Sequence, residues 1–326
     1  MKQDHFKIRV INQDPQIGQL LAQAVGATNV HAQEPMAKYT SFRVGGPVDW
    51  LVEVRQAELL RQAIQAARQS KLPYRVIGGG SNILVADSGI NGIVILNKAD
   101  HYEIREQGDE IHLTCDSGVM LPKLAGQLAK QGIAGMEWGV GVPGTVGGAV
   151  VQNAGAWGTE AKDCLITTEY LMPNEEQTRI VPVEQLGMRY RSSNILELPA
   201  HQRPIVLRAT FRLWRDDAKA IRARNSNYRS RRTATQPRVA SGGSTFRNPP
   251  NDYAGRLIDV AGLKGHYIGQ ACFSTKHANF IANHGGATAS DIHALIRLAQ
   301  QVVLEKFGVA LHAEVELVGA WGGTAP

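Results

Sequence analysis

Two stretches of the sequence combine glycine with small apolar residues in a way that suits contact with phosphate groups. Residues 139–158 read GVGVPGTVGGAVVQNAGAWG, and residues 77–85 read IGGGSNILV. Each glycine inside a helix or strand costs about 1 kcal/mol relative to alanine, so such a density is not expected of regular elements. It lets main-chain amide groups approach a bound molecule closely. Two such runs predict an extended, phosphate-bearing ligand that is held mainly by main chain.

Neither run matches the common nucleotide-binding signatures. The IGGGSN run lacks the GxGxxG spacing of a Rossmann turn, and no clean helical pattern follows it. No Lys-Ser or Lys-Thr pair follows the glycines, as it would in a P-loop. The predicted phosphate-binding site is therefore neither a Rossmann turn nor a P-loop.

Three short motifs hold polar side chains that could do chemistry beside such a ligand. They contain Arg191 in RYRSS, Ser244 in SGGSTFRNP and Glu314 in LHAEVELVG. Each alone has an ordinary structural explanation: an arginine on a strand surface, a serine in a turn, a glutamate on a solvated strand face. A serine hydrolase fits poorly, because SGGSTF is not a GxSxG nucleophile elbow. No HExxH or CxxC spacing is present, so no metal site is predicted.

The arginines are concentrated in one part of the chain. The formal net charge is +6, and six arginines lie between residues 222 and 238. A solvated basic face and a site for an anionic small ligand, such as a nucleotide diphosphate, both explain this cluster. A nucleic-acid surface is not favoured, since only Tyr228 is aromatic there and no nucleic-acid-binding motif occurs.

The composition is that of a globular protein of two or three domains. Of 326 residues, 43% are hydrophobic and 20% are charged. No segment reaches the roughly 18 apolar residues of a membrane helix, and the opening MKQDHFKIRV lacks the apolar region of an export signal. The three cysteines lie far apart, as is typical of a reducing compartment. We therefore expect a cytoplasmic protein, without a membrane, nucleic-acid or obligate protein partner.

The hydrophobic pattern predicts the elements that must position these motifs. Apolar periodicity indicates helices near residues 16–25, 57–70, 121–131 and 290–307, and the arginine-rich segment 216–232 is also predicted to be helical. Strands are predicted near residues 50–54, 74–77, 93–96 and 111–115. Strict alternation over residues 309–318 predicts a last strand, with Glu314 on the face opposite its apolar residues.

Taken in order, the motifs resemble one enzyme family. YTSFRVGGP, IGGGSNILV, GVPGTVGGAVVQNAGAWG, RYRSS, GGSTFRNP, AGLKG…GQACFSTKHANFIAN and LHAEVELVG are similar to the motif series of the UDP-N-acetylenolpyruvoylglucosamine reductase family. The resemblance covers about residues 34–319, and seven motifs in the right order make it specific. It implies an oxidoreductase of bacterial peptidoglycan synthesis that reduces the enolpyruvyl ether of UDP-N-acetylglucosamine to UDP-N-acetylmuramate. FAD would be bound non-covalently, and NADPH would be the hydride donor.

The resemblance also implies an α+β fold. It consists of an FAD-binding domain of the vanillyl-alcohol-oxidase (PCMH) type in two subdomains, and a C-terminal α+β substrate-binding domain. We expect an N-terminal extension (1–33), FAD-binding subdomain 1 (34–100), FAD-binding subdomain 2 (101–215), the substrate-binding domain (216–308) and a strand (309–326) that returns to the flavin site.

Roles for individual residues follow from the same resemblance. Arg191, Ser244 and Glu314 are implied to be catalytic: Arg191 and Glu314 would polarise the substrate, and Ser244 would donate a proton. The residues implied to contact FAD are Gly78, Gly79, Gly80, Ser81, Asn82, Pro143, Gly144, Thr145, Gly147, Gly148 and Asn153. Asn248, in the FRNP loop, is a candidate substrate contact, and Arg231 and Arg232 are candidates from charge alone.

The spacing of the motifs narrows the resemblance to the compact subclass. The chain between Arg191 and Ser244 is too short for the extra substrate loop of the longer subclass, so no gating tyrosine is assigned. Two alternative functions remain beside this interpretation. One is a sugar or aldonolactone oxidase of the same flavin fold, against which the GGSTFRNP and HAEV motifs argue; the other is a basic nucleic-acid-binding protein.

Overall fold

The computed structural model describes residues 14–321, which form two subdomains around a large cavity and a third domain that closes one side of it. The predicted 1–33 extension and 309–326 strand therefore lie partly outside the described residues. The fold is α+β, and the α-helices and strands of the described part match most of the predicted ones.

The first subdomain is a four-stranded sheet with the order β1-β2-β5-β3. Strand β1 is antiparallel to β2, and the other neighbours are parallel. Helices α1 and α2 pack on one face of the sheet, and a second apolar cluster covers the other face, so the central strands are buried on both sides. The elements are α1 (Pro15–Val25), β1 (Val30–Pro35), β2 (Pro47–Val54), α2 (Ala57–Gln69), β3 (Tyr74–Ile77), β4 (Ile83–Val85) and β5 (Ile90–Asn97).

The second subdomain is an antiparallel sheet with the order β12-β11-β13-β7-β6, and the short strand β8 pairs with the end of β13. Its inner face packs on helices α3 and α4 around the fully buried Phe211 and Trp138. The elements are β6 (Tyr102–Gln107), β7 (Glu110–Asp116), α3 (Leu121–Lys130), β8 (Ile133–Ala134), α4 (Val146–Gln152), β9 (Gly155–Ala156), β10 (Thr159–Glu160), β11 (Leu165–Leu171), β12 (Thr178–Pro182), α5 (Asn194–Glu197) and β13 (Ile205–Arg215).

Helix α6 (Ala218–Thr235) belongs spatially to the second subdomain. Its Ile221 is fully buried against Ala129 and Ala134, and its Arg224 pairs with Glu137 at 2.7 Å. The predicted substrate-binding domain begins at residue 216 and so includes this helix. The packing places α6 on the neighbouring unit instead, and its other flank faces the cavity.

The third domain surrounds its own apolar core. Its elements are α7 (Ala254–Val260), β14 (Tyr267–Ile268), β15 (Ala271–Phe273), β16 (Ile281–Asn283) and α8 (Ala289–Phe307). Helix α8 begins at a capping box formed by Thr288 and Asp291, and Gly308 in the left-handed region ends it. Its apolar residues recur at helical spacing, as predicted. Six of its residues are buried, whereas Leu304 and Phe307 near its end are exposed.

Two contacts from the first subdomain hold the third domain in place. Phe42 is fully buried in the third domain's core, and its carbonyl accepts a hydrogen bond from the Asn283 side chain at 2.8 Å. The Asp87 carboxylate accepts hydrogen bonds from the main-chain N–H groups of Ala289 and Ser290, at 2.7 and 2.8 Å, at the start of α8. The position of the third domain is thus fixed relative to the first glycine-rich loop.

The last segment of the chain differs from the predicted continuous strand. Only β17 (Glu316–Val318) is a strand, and it pairs in parallel with β4. Upstream, Ala313 forms an isolated antiparallel bridge with Phe246. The predicted faces are nevertheless correct, because Leu311 and Val315 are buried in the third domain's core. The segment pairs first with Phe246 and then with β4, and this change of partner interrupts the predicted strand. The alternation of apolar and polar residues is kept.

Candidate active site

One cavity of about 1630 Å³ lies between the two subdomains and reaches the third domain. Both glycine-rich loops line it, at residues 78–82 and 143–148. Arg191, Ser244 and Glu314 line it as well. The structure therefore brings together the three polar side chains, which lie far apart in the sequence, on the wall that the glycine-rich loops also form.

The two glycine-rich loops contact each other directly. The Ser81 hydroxyl donates a hydrogen bond to the Pro143 carbonyl at 3.1 Å, and a Cβ added at Gly78 would lie 2.3 Å from Oγ1 of Thr145. At Gly80, φ is +59°, and an added Cβ would lie 1.9 Å from the Tyr39 carbonyl oxygen. Glycine is needed at both positions because a side chain would clash with the protein itself, with a side chain at Gly78 and with main chain at Gly80. The sequence alone does not separate this reason from contact with a ligand.

Gly147 and Gly148 have different surroundings at the start of α4. A Cβ at Gly147 would lie 2.8 Å from the Ser117 Cβ, and the Gly147 N–H already donates to the Ser117 carbonyl. A Cβ at Gly148 would lie 3.8 Å from its nearest neighbour, Oγ1 of Thr145, and would project into the cavity. Gly147 is thus required by packing, whereas Gly148 leaves space on the cavity side.

Asn153 does not line the cavity, so the predicted FAD contact at this residue is corrected. It is fully buried, and its side chain donates to Glu160 at 2.8 Å and to the Arg189 carbonyl at 3.1 Å. Its Oδ1 accepts a hydrogen bond from the Lys162 N–H at 3.0 Å. With φ at +45°, Asn153 ends α4 and holds the turn that carries Arg191.

Arg191 occupies a strained position in a tight turn. Its φ is +51°, and two hydrogen bonds of 3.0 Å between the main chains of Arg189 and Ser192 close the turn around it. A non-glycine residue in this region costs on the order of 1–3 kcal/mol, which the surrounding structure must supply. The guanidinium donates to the Gly155 carbonyl at 2.8 Å and lies 5.3 Å from the centre of the Tyr190 ring. The turn therefore presents Arg191 to the cavity in a fixed orientation.

Glu314 pairs with Arg191 across the cavity wall. Its Oε1 lies 3.5 Å from Nε of Arg191, and the side chain is 16% exposed. Burial raises the pKa of Glu314 above its usual value, although the positive charges of Arg191 and Arg247 oppose the shift. Glu314 consequently keeps its proton to a higher pH than a solvated glutamate.

Main-chain hydrogen bonds place Glu314 beside Ser244. The Glu314 N–H donates to the carbonyl of Thr245, the residue after Ser244, at 2.8 Å, and the Asn82 side chain donates to the Glu314 carbonyl at 2.8 Å. Ser244 follows Gly243, whose φ is +80°. A hydroxyl, a carboxyl group and a guanidinium thus share one wall, an arrangement that can bind a carboxylate and deliver a proton.

The predicted substrate contacts fall in different places. Arg232 lines the cavity and forms no ion pair with any residue in the range 14–321; burial lowers its pKa. Arg231, by contrast, is exposed and does not line the cavity, because it projects from another side of α6. Asn248 lines the cavity, with its Oδ1 accepting a hydrogen bond from the Ala254 N–H at 3.1 Å.

Several residues of the cavity wall were not predicted from the sequence. Trp157 has a φ of +61° and stacks on Tyr228 of α6, with the ring centres 5.1 Å apart. Tyr190 is 49% exposed beside Arg191. Trp157 lies in the NAGAWG end of the glycine-rich run, and Tyr190 lies in RYRSS. An aromatic residue inside a motif with candidate functional residues was the signal that could have identified both.

Among residues 14–321, no group of three or more His, Cys, Asp and Glu side chains is arranged to hold a metal ion. Within the same range, no helix combines the length and the apolar character needed to cross a lipid bilayer.

Comparison with known proteins identifies the family. Residues 48–180 match the FAD binding domain family, and residues 236–318 match the family described as UDP-N-acetylenolpyruvoylglucosamine reductase, C-terminal domain. The UDP-N-acetylenolpyruvoylglucosamine reductase of Rubrobacter xylanophilus is 41% identical over 286 residues, which cover 88% of this chain and 94% of the relative. That of Synechococcus sp. strain RCC307 is 42% identical over 91% of this chain and 96% of the relative.

The chain belongs to the UDP-N-acetylenolpyruvoylglucosamine reductase family. The crystal structure of UDP-N-acetylenolpyruvylglucosamine reductase from Thermus caldophilus agrees with this assignment: it superposes with a TM-score of 0.74 at 35% identity, over 89% of this chain and 98% of that one. The family and the FAD-binding domain make the protein an FAD-containing oxidoreductase, as the motif series predicted.

The residues of the cavity fit FAD. Both subdomains contribute a glycine-rich loop to its wall, and at Gly148 an added side chain would enter the space between them. Arg232, which forms no ion pair within residues 14–321, supplies positive charge to the same cavity. An extended, anionic dinucleotide is the class of ligand that such a wall binds.

Replacing Gly148 with valine should block FAD binding without unfolding the protein. The valine side chain would not clash with protein atoms, but it would enter the cavity. Helix α4 should tolerate the valine, because it already contains three. We expect FAD affinity to fall by at least about tenfold, since a misfit of this size costs 1–3 kcal/mol or more. Fluorescence titration of FAD into the stripped protein measures this.

Two matched variants complete this test. Gly126 lies in α3 and does not line the cavity, and a Cβ there would make only an ordinary contact with Nη2 of Arg229, at 3.8 Å. The Gly126→Val variant should therefore bind FAD normally. Gly147→Val should lower the melting temperature even without FAD, because its side chain meets Ser117. A folded Gly148→Val protein with wild-type FAD affinity would show that the loop is placed wrongly.

The raised pKa of Glu314 predicts a pH-dependent contribution to stability. Because the folded state binds this proton more tightly than the unfolded state, the contribution is fully present below the unfolded pKa and is lost as the pH rises through the folded pKa. The free energy of unfolding of wild type minus that of Glu314→Gln should therefore decrease from the usual glutamate range upward and then level off. Urea unfolding at a series of pH values, with equal FAD loading, measures it. A difference that increases with pH would contradict the assignment.

Proposed function

We propose that this protein catalyses the NADPH-dependent reduction of the enolpyruvyl ether of UDP-N-acetylglucosamine to UDP-N-acetylmuramate, a step of peptidoglycan precursor synthesis. The observation that carries the proposal is the Arg191–Glu314 pair, with 3.5 Å between Nε and Oε1, on the wall that Ser244 and both glycine-rich loops also line. Family membership supports the same reaction, since relatives that are 41–42% identical carry the name of this reductase.

We infer that the loops at residues 78–82 and 143–148 would hold FAD, since both loops line the cavity. When bound, FAD would supply the hydride for the substrate, with NADPH as the source of that hydride. Asn153 does not take part directly; it keeps the Arg191 turn in place through the Arg189 carbonyl.

The protein's own groups act on the reacting carboxylate and the neighbouring carbon. Addition of a hydride to the methylene carbon leaves negative charge on the adjacent carbon and its carboxylate. Arg191 stabilises that charge with its guanidinium, which the Gly155 carbonyl holds in place. Glu314, protonated over a wider pH range than usual, donates a hydrogen bond to the same carboxylate.

Ser244 completes the reaction by donating its hydroxyl proton to the adjacent carbon. A serine is a weak acid, but a carbanion-like carbon is basic enough to take the proton if the two atoms are held close together. The position next to Gly243, with φ at +80°, brings the Ser244 main chain to the cavity wall. The product is the lactyl ether, with one hydride and one proton added.

The nucleotide part of the substrate is proposed to bind along the α6 side of the cavity. Arg232 offers a positive charge without a protein partner in the described chain, and Trp157 offers an aromatic surface. Asn248 keeps its side-chain NH₂ group for a ligand. The substrates of this reaction, a UDP-sugar and NADPH, are cytoplasmic metabolites, and we propose the cytoplasm as the site of action.

We also propose a division of the chain into functional parts. FAD-binding subdomain 1 ends near residue 100 and subdomain 2 near residue 215, where β13 ends. Helix α6 joins subdomain 2 to a substrate-binding domain whose own elements begin at α7. Strand β1 spans residues 30–35, so we extend subdomain 1 across the predicted boundary at residue 33.

Stopped-flow absorbance of the two half-reactions tests the proposed function. NADPH should bleach the flavin spectrum, and subsequent addition of the enolpyruvyl UDP-sugar, in the absence of oxygen, should restore it with formation of one UDP-N-acetylmuramate per flavin. Rapid restoration by oxygen and none by the sugar nucleotide would indicate an oxidase instead.

The Ser244→Ala variant should slow only one of the two half-reactions. Bleaching by NADPH should remain close to wild type, because Ser244 acts only on the substrate carbon. Restoration by the sugar nucleotide should slow by about 10²–10⁴-fold, the usual effect of losing a general acid. Ser241→Ala, in the same loop but not on the cavity wall, is the matched control and should behave as wild type. If the sugar nucleotide restores the flavin spectrum of Ser244→Ala at the wild-type rate, another group must donate the proton.

A further inference from the structure

Three charged side chains from separate parts of the chain meet on the cavity wall. Glu316 of β17 accepts contacts from Nη1 of Arg75 at 3.0 Å and Nη1 of Arg203 at 2.8 Å. Arg75 belongs to β3 of the first subdomain, and Arg203 lies two residues before the start of β13 in the second. All three line the cavity. This cluster, Arg75–Glu316–Arg203, has no role in the reaction described above.

The cluster is held more firmly than an exposed ion pair. The side chains of Arg75, Arg203 and Glu316 are 26%, 23% and 30% exposed, so solvent screens them less than surface charges. Burial alone would raise the pKa of Glu316, but the two arginines outweigh burial and hold it below its usual value. Glu316 is therefore charged at neutral pH, and the cluster carries a net charge of one positive unit.

Most of the N–H donors of the two arginines have no hydrogen-bond partner in the part of the chain that the structure describes. A guanidinium has five N–H donors. Arg75 uses Nη1 for Glu316, and Arg203 uses Nη1 for Glu316 and Nε for the Leu198 carbonyl. The two guanidinium groups thus face a cofactor-sized cavity with donors to spare, and one carboxylate fixes the orientation of both.

We propose that Arg75 and Arg203 form a cationic contact for an anionic part of FAD, with Glu316 as the positioning residue that sets both guanidinium groups. The anionic part of FAD can be the diphosphate or the flavin ring, whose negative charge increases upon reduction. The contact also joins both subdomains to the C-terminal strand, because each of the three residues comes from a different unit.

The position of Glu316 in the chain supports a link to the active site. Its N–H donates to the Asn82 carbonyl at 3.0 Å, and the Asn82 side chain holds the carbonyl of Glu314, two residues earlier. Glu314 and Glu316 both line the cavity. The cluster and the Arg191–Glu314 pair therefore lie on neighbouring parts of one wall.

The Glu316→Gln variant distinguishes two roles of Glu316: orienting the two guanidinium groups, or only setting the net charge of the wall. If the wall acts only through net charge, Glu316→Gln adds one positive unit and should tighten the binding of an anionic cofactor. If Glu316 orients the guanidinium groups, the same variant should weaken binding. The opposite signs make this variant decisive for the positioning role.

The test uses full-length protein that has been stripped of FAD and then titrated with FAD or with ADP, together with the midpoint potential of the reloaded protein. Arg75→Gln and Arg203→Gln should each raise the FAD dissociation constant about tenfold or more, the effect of one lost charge-assisted hydrogen bond. Glu316→Gln should raise it as well. A parallel loss of ADP affinity assigns the contact to the diphosphate. Unchanged ADP affinity with a more negative midpoint potential, by about 30 mV for a tenfold change, assigns it to the flavin ring.

Glu53→Gln is the matched control. Glu53 also bridges two cations, Arg55 at 2.6 Å and Lys98 at 2.5 Å, but it does not line the cavity, so its variant should bind FAD normally. Wild-type FAD affinity and potential in both arginine variants would overturn the proposal, and tighter binding by Glu316→Gln would overturn the positioning role. None of these readouts uses the sugar nucleotide, so the result is independent of the proposed reaction.

Discussion

Asn82 connects the first glycine-rich loop to the end of the chain through two hydrogen bonds. Its side chain donates to the Glu314 carbonyl at 2.8 Å, and its own carbonyl accepts from the Glu316 N–H at 3.0 Å. The parallel pairing of β17 with β4 continues from this point. On the other side, the Glu314 N–H donates to Thr245, so the last segment of the chain is held between the cofactor loop and the Ser244 loop. The relative position of Glu314, Ser244 and the cavity depends on this segment more than on any other.

Rigid packing around the segment makes this arrangement possible. Phe42 fills the third domain's core, and Asp87 binds the start of α8, so the Ser244 loop cannot move far from the first subdomain. On the second-subdomain side of the same wall, Asn153 and Gly155 hold the strained turn of Arg191. Strain of this kind persists only where the surroundings determine the conformation, and it is typical of functional sites. The two sides of the wall meet at the Arg191–Glu314 pair.

The sequence predicted elements and motifs well where the signal is local. Helix α8 has both apolar periodicity and end signals, and the structure confirms it to within one residue of the predicted bounds at residues 290–307. The alternation around Glu314 gave the correct faces but an overlong strand, because the segment bridges to Phe246 and then pairs with β4. Hydrogen-bond partners that lie more than 60 residues away leave no trace in a local pattern.

The same limit explains the errors at individual residues. Asn153 lies in a glycine-rich motif, and only the fold shows that its side chain is used by Glu160 and Arg189. Arg231 and Arg232 are neighbours of equal charge, and the packing of α6 alone decides which one faces the cavity. The Arg75–Glu316–Arg203 cluster joins three distant segments, so no spacing in the sequence indicates it.

A double-mutant cycle between Asn82 and Glu314 tests most directly whether the cofactor loop positions the catalytic carboxyl group. The quantity measured is the rate at which the enolpyruvyl UDP-sugar restores the flavin spectrum, at saturating FAD, in wild type, Asn82→Ala, Glu314→Gln and the double variant. If Asn82 acts through Glu314, the double variant should be only slightly slower than the slower single variant, because coupled residues are not additive. Two effects that multiply in the double variant would contradict this account and show that Asn82 and Glu314 act independently.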